Sequence, residues 1–303
     1  MSRVSLAGFC AARRAALLVG LTMAAGCGSG RPAASVAPRS PSDTVSLALE
    51  PYFRELRTVR VSAGGDSLRL LFDTGGGATL VTPEVATRRG CQPYGRDVGH
   101  RMTGERVEFQ QCEALDLSVG AWQARFEPVA VFDVNGLLPP ELPRLDGVLA
   151  LDAFRGQVIS LDWRCGRVAV HSVADAEGAL RQHGLPVRLA TGVTGRMFSP
   201  FVPVAASRGP LWFLLDSGNI RGILLARHVV SEGRLKLAPD RTVTLRIGTR
   251  PGVTLPAEAD DLVIDGSVGA SYLMQGPVTL DLRGAGLAMV DPSLTTPGAR
   301  ESR

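Results

Sequence analysis

The segment LRLLFDTGG, ending at Gly76, recurs as LWFLLDSGN, ending at Asn219. Each is an apolar run of strand length that leads into Asp, then a hydroxyl residue, then Gly. A second, ungapped pair lies downstream: DGVLALDAFRGQVISLDWRCGRVAV from Asp146 and DGSVGASYLMQGPVTLDLRGAGLAM from Asp265. They share Asp146/Asp265, Gly147/Gly266, Leu161/Leu280, Asp162/Asp281, Arg164/Arg283 and Ala169/Ala288. The same two landmarks in the same order, twice, mark a duplicated unit. Two related halves can each bring one carboxylate, Asp73 and Asp216, to a common boundary. The offset between halves is 143 at those aspartates and 119 at Asp146/Asp265, so the second half is 24 residues shorter between the landmarks.

Around the landmarks the chain is built of short apolar runs (RTVRVSA, VAVF, VISLDW, RVAVHSV) separated by Gly, Pro and Asp. That texture predicts an all-β fold with few short helices. The helical exceptions are PEVATRRG after Thr82, AEGALRQHG near 176–184 and ARHVVSEG near 226–233. At 303 residues, 45% hydrophobic and 20% charged, the chain is long enough for two moderate cores.

The N-terminus reads as an export signal. Arg3, Arg13 and Arg14 precede an apolar run, AALLVGLTMAA, too short to span a bilayer. The run ends in Ala24-Ala25-Gly26-Cys27, which resembles the lipobox of bacterial lipoproteins and implies lipidation of Cys27. The expected organisation is a signal peptide over 1–26, a flexible tether over 27–45, an N-terminal lobe over 46–172, a connection over 173–186, a C-terminal lobe over 187–292 and a tail over 293–303. The protein is expected to be exported and lipid-anchored, facing the periplasm or cell surface. Residues 1–26 hold three Arg and no acid, so the remainder carries +1 rather than +4. No basic stripe survives that would suit nucleic acid.

Beyond Cys10 and Cys27, three cysteines remain. A Cys91–Cys112 bridge is the first expectation and Cys112–Cys165 the alternative. No CxxC occurs, and His100, His171, His183 and His228 are scattered, so neither metal nor cofactor is expected.

Two adjacent carboxylates cannot both ionise easily and share one proton. The ionised member can take a proton from a held water while the protonated one polarises a carbonyl. Thr74 and Ser217 follow the aspartates, where a hydroxyl can reach across the boundary. Gly75 and Gly218 let the two backbones approach.

At these residues the chain resembles the pepsin and retropepsin superfamily, and more narrowly the bacterial retropepsin-like proteins with two lobes in one chain, over about residues 50–292. The resemblance implies two tandem acid-protease β-barrel lobes with the active site between them. It implies that Asp73-Thr74-Gly75 and Asp216-Ser217-Gly218 are active-site loops, with DGVLA and DGSVG passing behind them. It also implies an aspartic endopeptidase, a hydrolase acting on an extended polypeptide. The alternative is a catalytically inactive lipoprotein of the same fold that binds peptides or acts as a scaffold.

The sequence departs from the family at Gly76 and Asn219, where a Ser, Thr or Ala is usual, at Ala150, where Gly is usual, and in lacking a flap tyrosine. Asn219 stands where its side chain could hydrogen-bond Asp216. Without the two hydroxyls, the pair is expected to titrate at higher pH. The extra residues of the first half include GHRMTGERVEF, whose tip Thr103-Gly104-Glu105 is expected to form a single flap. Since both lobes lie in one chain, a monomer is expected.

Overall fold

The computed structural model describes residues 44–171, 184–192, 195–248 and 251–283, together with the backbone of 287–290. The expected signal peptide, Cys27, nearly all of the tether, most of the connection, the helix near 176–184 and the tail lie outside the described residues. What is described is mostly β-sheet with a few short helices: one sheet of twelve strands, another of ten.

Alternation fixes the strands. In Arg57–Ala63, Val59, Val61 and Ala63 are buried while Arg60 and Ser62 point to solvent. The chain reverses at Gly64-Gly65 into Asp66–Asp73, whose Leu68, Leu70 and Phe72 fill the same core. The helix Pro83–Arg88 starts where expected: the Thr82 hydroxyl accepts the Val85 N–H at 3.4 Å, and Pro occupies the first turn, where no N–H is needed.

The repeat is visible in the pairing. Gly147–Ala150 runs parallel to Asp66–Asp73, with Ala150 opposite Asp73. Gly266–Val268 runs parallel to Leu211–Leu215 in the second half. Behind each, the leading aspartate accepts a backbone amide: Asp146 from Arg69 at 2.9 Å, Asp265 from Trp212 at 2.8 Å. These partly buried bonds hold the strand that carries the site against the strand behind it.

The expectation of one closed barrel per half needs correction. The twelve-stranded sheet takes Val45–Ala48, Val158–Asp162 and Arg167–His171 from the first half and continues into strands of the second. The join is antiparallel, Val158–Asp162 against Val278–Asp281. There Ser160 pairs with Thr279, 119 residues away, the same offset as Asp146/Asp265, and their hydroxyl oxygens are 2.6 Å apart. Unpaired edges of strands from both halves are satisfied by one another, which separate barrels would not achieve.

Trp122 and Trp163 are buried in the main core, whereas Trp212 is only partly covered and lies 3.9 Å beneath the Arg188 guanidinium. Cys91 is disulfide-bonded to Cys112, so the alternative pairing with Cys165 does not form. Among the described residues, no helix is long and apolar enough to cross a membrane.

Candidate active site

Asp66–Asp73 ends on Asp73, and Leu211–Leu215 ends one residue before Asp216. Beyond these ends the two loops exchange hydrogen bonds. The Thr74 N–H donates to Ser217 Oγ and the Ser217 N–H to Thr74 Oγ1, both at 2.9 Å. In turn the Thr74 hydroxyl donates to the Leu215 carbonyl at 2.7 Å, and the Ser217 hydroxyl to the Phe72 carbonyl at 3.1 Å. Both residues are fully buried, so this network is completed without water.

The exchange sets the carboxylates side by side. A Cβ on Gly75 would fall 2.5 Å from Asp216 Oδ1, and one on Gly218 would fall 2.6 Å from Asp73 Oδ2. Only glycine admits that approach. The Gly75 N–H donates to Asp73 Oδ1 and the Gly218 N–H to Asp216 Oδ1, each at 2.9 Å.

Burial raises the pKa of both carboxyls. Asp216 is raised well above the usual range, first by burial and then by the negative charge of Asp73. The N–H of Gly75, the hydrogen bond with Asp216 and the N–H groups of Gly218 and Gly76 favour the ionised form of Asp73. The two carboxyls therefore share one proton as a pair. Such a pair offers one donor and one acceptor to a water, a hydroxyl or a carbonyl. Among the described residues, no three His, Cys, Asp or Glu side chains converge as a metal site would require.

Asn219 does not act on the pair through its side chain. Its Nδ2 donates to the Gly222 carbonyl at 3.0 Å and to Ser267 Oγ at 3.1 Å, and its Oδ1 accepts the Arg221 N–H at 2.9 Å. The carboxamide folds inward to clamp its own loop, leaving only its backbone N–H toward Asp216. At Gly76 a Cβ would come within 3.1 Å of Asp73 Oδ2, so a side chain there requires the Asp73 carboxyl to shift by a few tenths of an ångström. Burial is the first cause of the raised titration at both carboxyls.

The hairpin of Tyr94–His100 and Arg106–Cys112 carries Thr103, Gly104 and Glu105 at its tip. The Arg101 N–H donates to the Glu105 carbonyl and the Gly104 N–H to the Arg101 carbonyl, closing the turn. The tip reaches the second half, where the Val263 N–H donates to the Met102 carbonyl at 3.0 Å. Below it, the methyl of Met197 lies close to both Gly99 of the hairpin and Gly77 of the loop after Asp73. In the second half, Val253–Asp260 and Thr242–Leu245 take the sheet positions that Val129–Val131 and Arg106–Cys112 hold in the first, and no described strand stands where Tyr94–His100 does.

Two residues the sequence reading passed over stand beside this site. The Asp152 carboxylate accepts the Thr79 N–H and the Thr79 hydroxyl, the latter at 2.6 Å. The available signal was an acid set between apolar residues, LDAF, directly after the strand behind Asp73.

Replacing Asp216 tests the electrostatics. Its folded pKa lies above the unfolded value of about 3.9, so the stability it contributes is present below that pH and fades as pH rises through the folded value. Asp216→Asn stays neutral throughout and keeps an acceptor for Gly218. It is expected to be more stable than the parent at pH 7, with the difference vanishing near pH 3, as urea unfolding across pH will show.

No protein-family model and no curated protein matches the chain. Its fold is similar to solved structures of basic 7S globulins. One is basic 7S globulin from soybean, with a TM-score of 0.51 and 11% identity, covering 84% of this chain and 96% of the other. Another is conglutin gamma from lupine seeds, with a TM-score of 0.50 and 11% identity, covering 82% and 95%. These neighbours are named as globulins, not proteases. The identification with the pepsin-like and retropepsin-like aspartic proteases, and with it the endopeptidase and hydrolase assignment, is corrected accordingly. At this identity the likeness extends to the fold alone.

Proposed function

We propose that the chain is a non-hydrolytic binding protein for an extended peptide, held between two lobes, residues 46–172 and 187–292. The observation that carries this reading is the reciprocal bonding of Thr74 and Ser217, which fixes Asp73 and Asp216 as a one-proton donor–acceptor pair. A main-chain carbonyl matches such a pair. The strand Tyr94–His100 is outermost in its sheet and leaves backbone groups for an added segment. One feature favours retention over turnover: the hairpin tip is tied to Val263. The protein acts as a monomer, exported and tethered through a lipid on Cys27 and the 27–45 segment.

The test is capture of terminally capped decapeptides by the full chain in detergent, between pH 4 and pH 7, with mass spectrometry of what is retained. A retained subset of unchanged mass is expected, with affinity lowered about tenfold, or ~1.4 kcal/mol, in the Asp73→Asn/Asp216→Asn double variant. Absence of retention overturns the proposal. So does recovery of fragments that the double variant does not produce.

A further inference from the structure

The two loops that carry the carboxylates are fastened by different devices, although the halves repeat each other. In the first half the fastening is a carboxylate. Both oxygens of Asp152 lie within 3.0 Å of the Thr79 N–H, and Oδ1 accepts the Thr79 hydroxyl. The Thr79 hydroxyl also accepts the Ala150 N–H at 3.1 Å. Ala150 is the residue paired with Asp73 across the parallel strands. The far end of the 73–79 loop is thus tied to the strand on which its near end rests.

The second half lacks this tie. Ser271 stands 119 residues from Asp152, and its buried hydroxyl has no hydrogen-bond partner among the described residues. Gly222 stands 143 residues from Thr79 and has no side chain to be held. There the Asn219 carboxamide makes the fastening, bonding Gly222 and Ser267.

We propose that Asp152 is a positioning residue for Asp73, acting through Thr79. The loop it pins includes Gly76, whose N–H favours the ionised form of Asp73. Slackening the loop withdraws that donor and makes Asp73 harder to ionise. The inference rests on reading the pair as the binding centre, but its readout is the pair's own titration, so it stands or falls independently of any ligand.

Position and charge predict opposite signs. Deleting a nearby negative charge favours ionisation of the pair and moves its lower titration step down. Losing the fastening moves that step up. Arg155, whose guanidinium turns to the carbonyls of Gly195 and Arg196, is the cation nearest in influence to Asp152.

The experiment follows the side-chain carboxyl carbons of Asp73 and Asp216 by NMR through pH in the full chain. An upward move of the lower step is expected in Asp152→Ala. Asp152→Asn, which keeps an acceptor for Thr79, should not show it. Should Asp152→Ala fail to fold, Thr79→Val, which retains the Asp152 charge and the backbone N–H, is expected to give the same upward move. An unchanged or lowered step in whichever of these two variants folds overturns the proposal.

Discussion

Thr74→Val is expected to lower the unfolding free energy by about 3 kcal/mol, measured by urea unfolding at pH 6. Valine nearly matches the shape of threonine, so packing in this fully buried position is kept. What disappears is the hydroxyl that donates to the Leu215 carbonyl and accepts the Ser217 N–H. Two buried backbone groups are left unsatisfied, and each costs about 1–3 kcal/mol of desolvation. The opposite change, Thr74→Ser, keeps both bonds and should cost far less. A small loss in Thr74→Val would mean that water enters between the loops and that the exchange does not hold them together.

Gly75→Ala should damage the pair more than it damages the fold. The added methyl would sit 2.5 Å from the Asp216 carboxyl, a distance at which something has to move. Overpacking of this kind costs about 1–3 kcal/mol, spread over the loops. The larger consequence is electrostatic. Pushing Asp216 from Asp73 weakens the repulsion that separates their titrations, so the upper step should fall and the two steps converge. Carboxyl-carbon NMR against pH reads this directly. Two steps as widely spaced as in the parent would show that the loops absorb the methyl elsewhere.

The duplication was readable because it rests on local chemistry. A strand ending in Asp-hydroxyl-Gly and an Asp-Gly opening a second strand are each written in consecutive residues, and both copies form matching parallel pairs. The Thr82 cap was readable for the same reason. What sequence did not show depends on partners far apart in the chain. Asn219 looks from sequence like a group aimed at Asp216, yet Gly222 and Ser267 offer its carboxamide better bonds. Asp152 carries no evident role in the sequence until Thr79, 73 residues away, is seen to fill both of its oxygens. The path of the twelve-stranded sheet through both halves could not be read either, because strand sequence records burial and not which edge a strand will meet.

Ser160 and Thr279 have a consequence of another kind. Each faces its own counterpart across the join, at 2.6 Å between hydroxyl oxygens, as residues do in the self-complementary interface of a symmetric dimer. A position that meets its own copy cannot drift alone. A bulky residue at 160 demands a smaller one at 279, so the two are expected to covary among relatives, whatever those relatives bind. Positions away from the join carry no such restraint, and Asp152 and Ser271 have already become a fastening in one half and, in the other, a hydroxyl with no partner among the described residues.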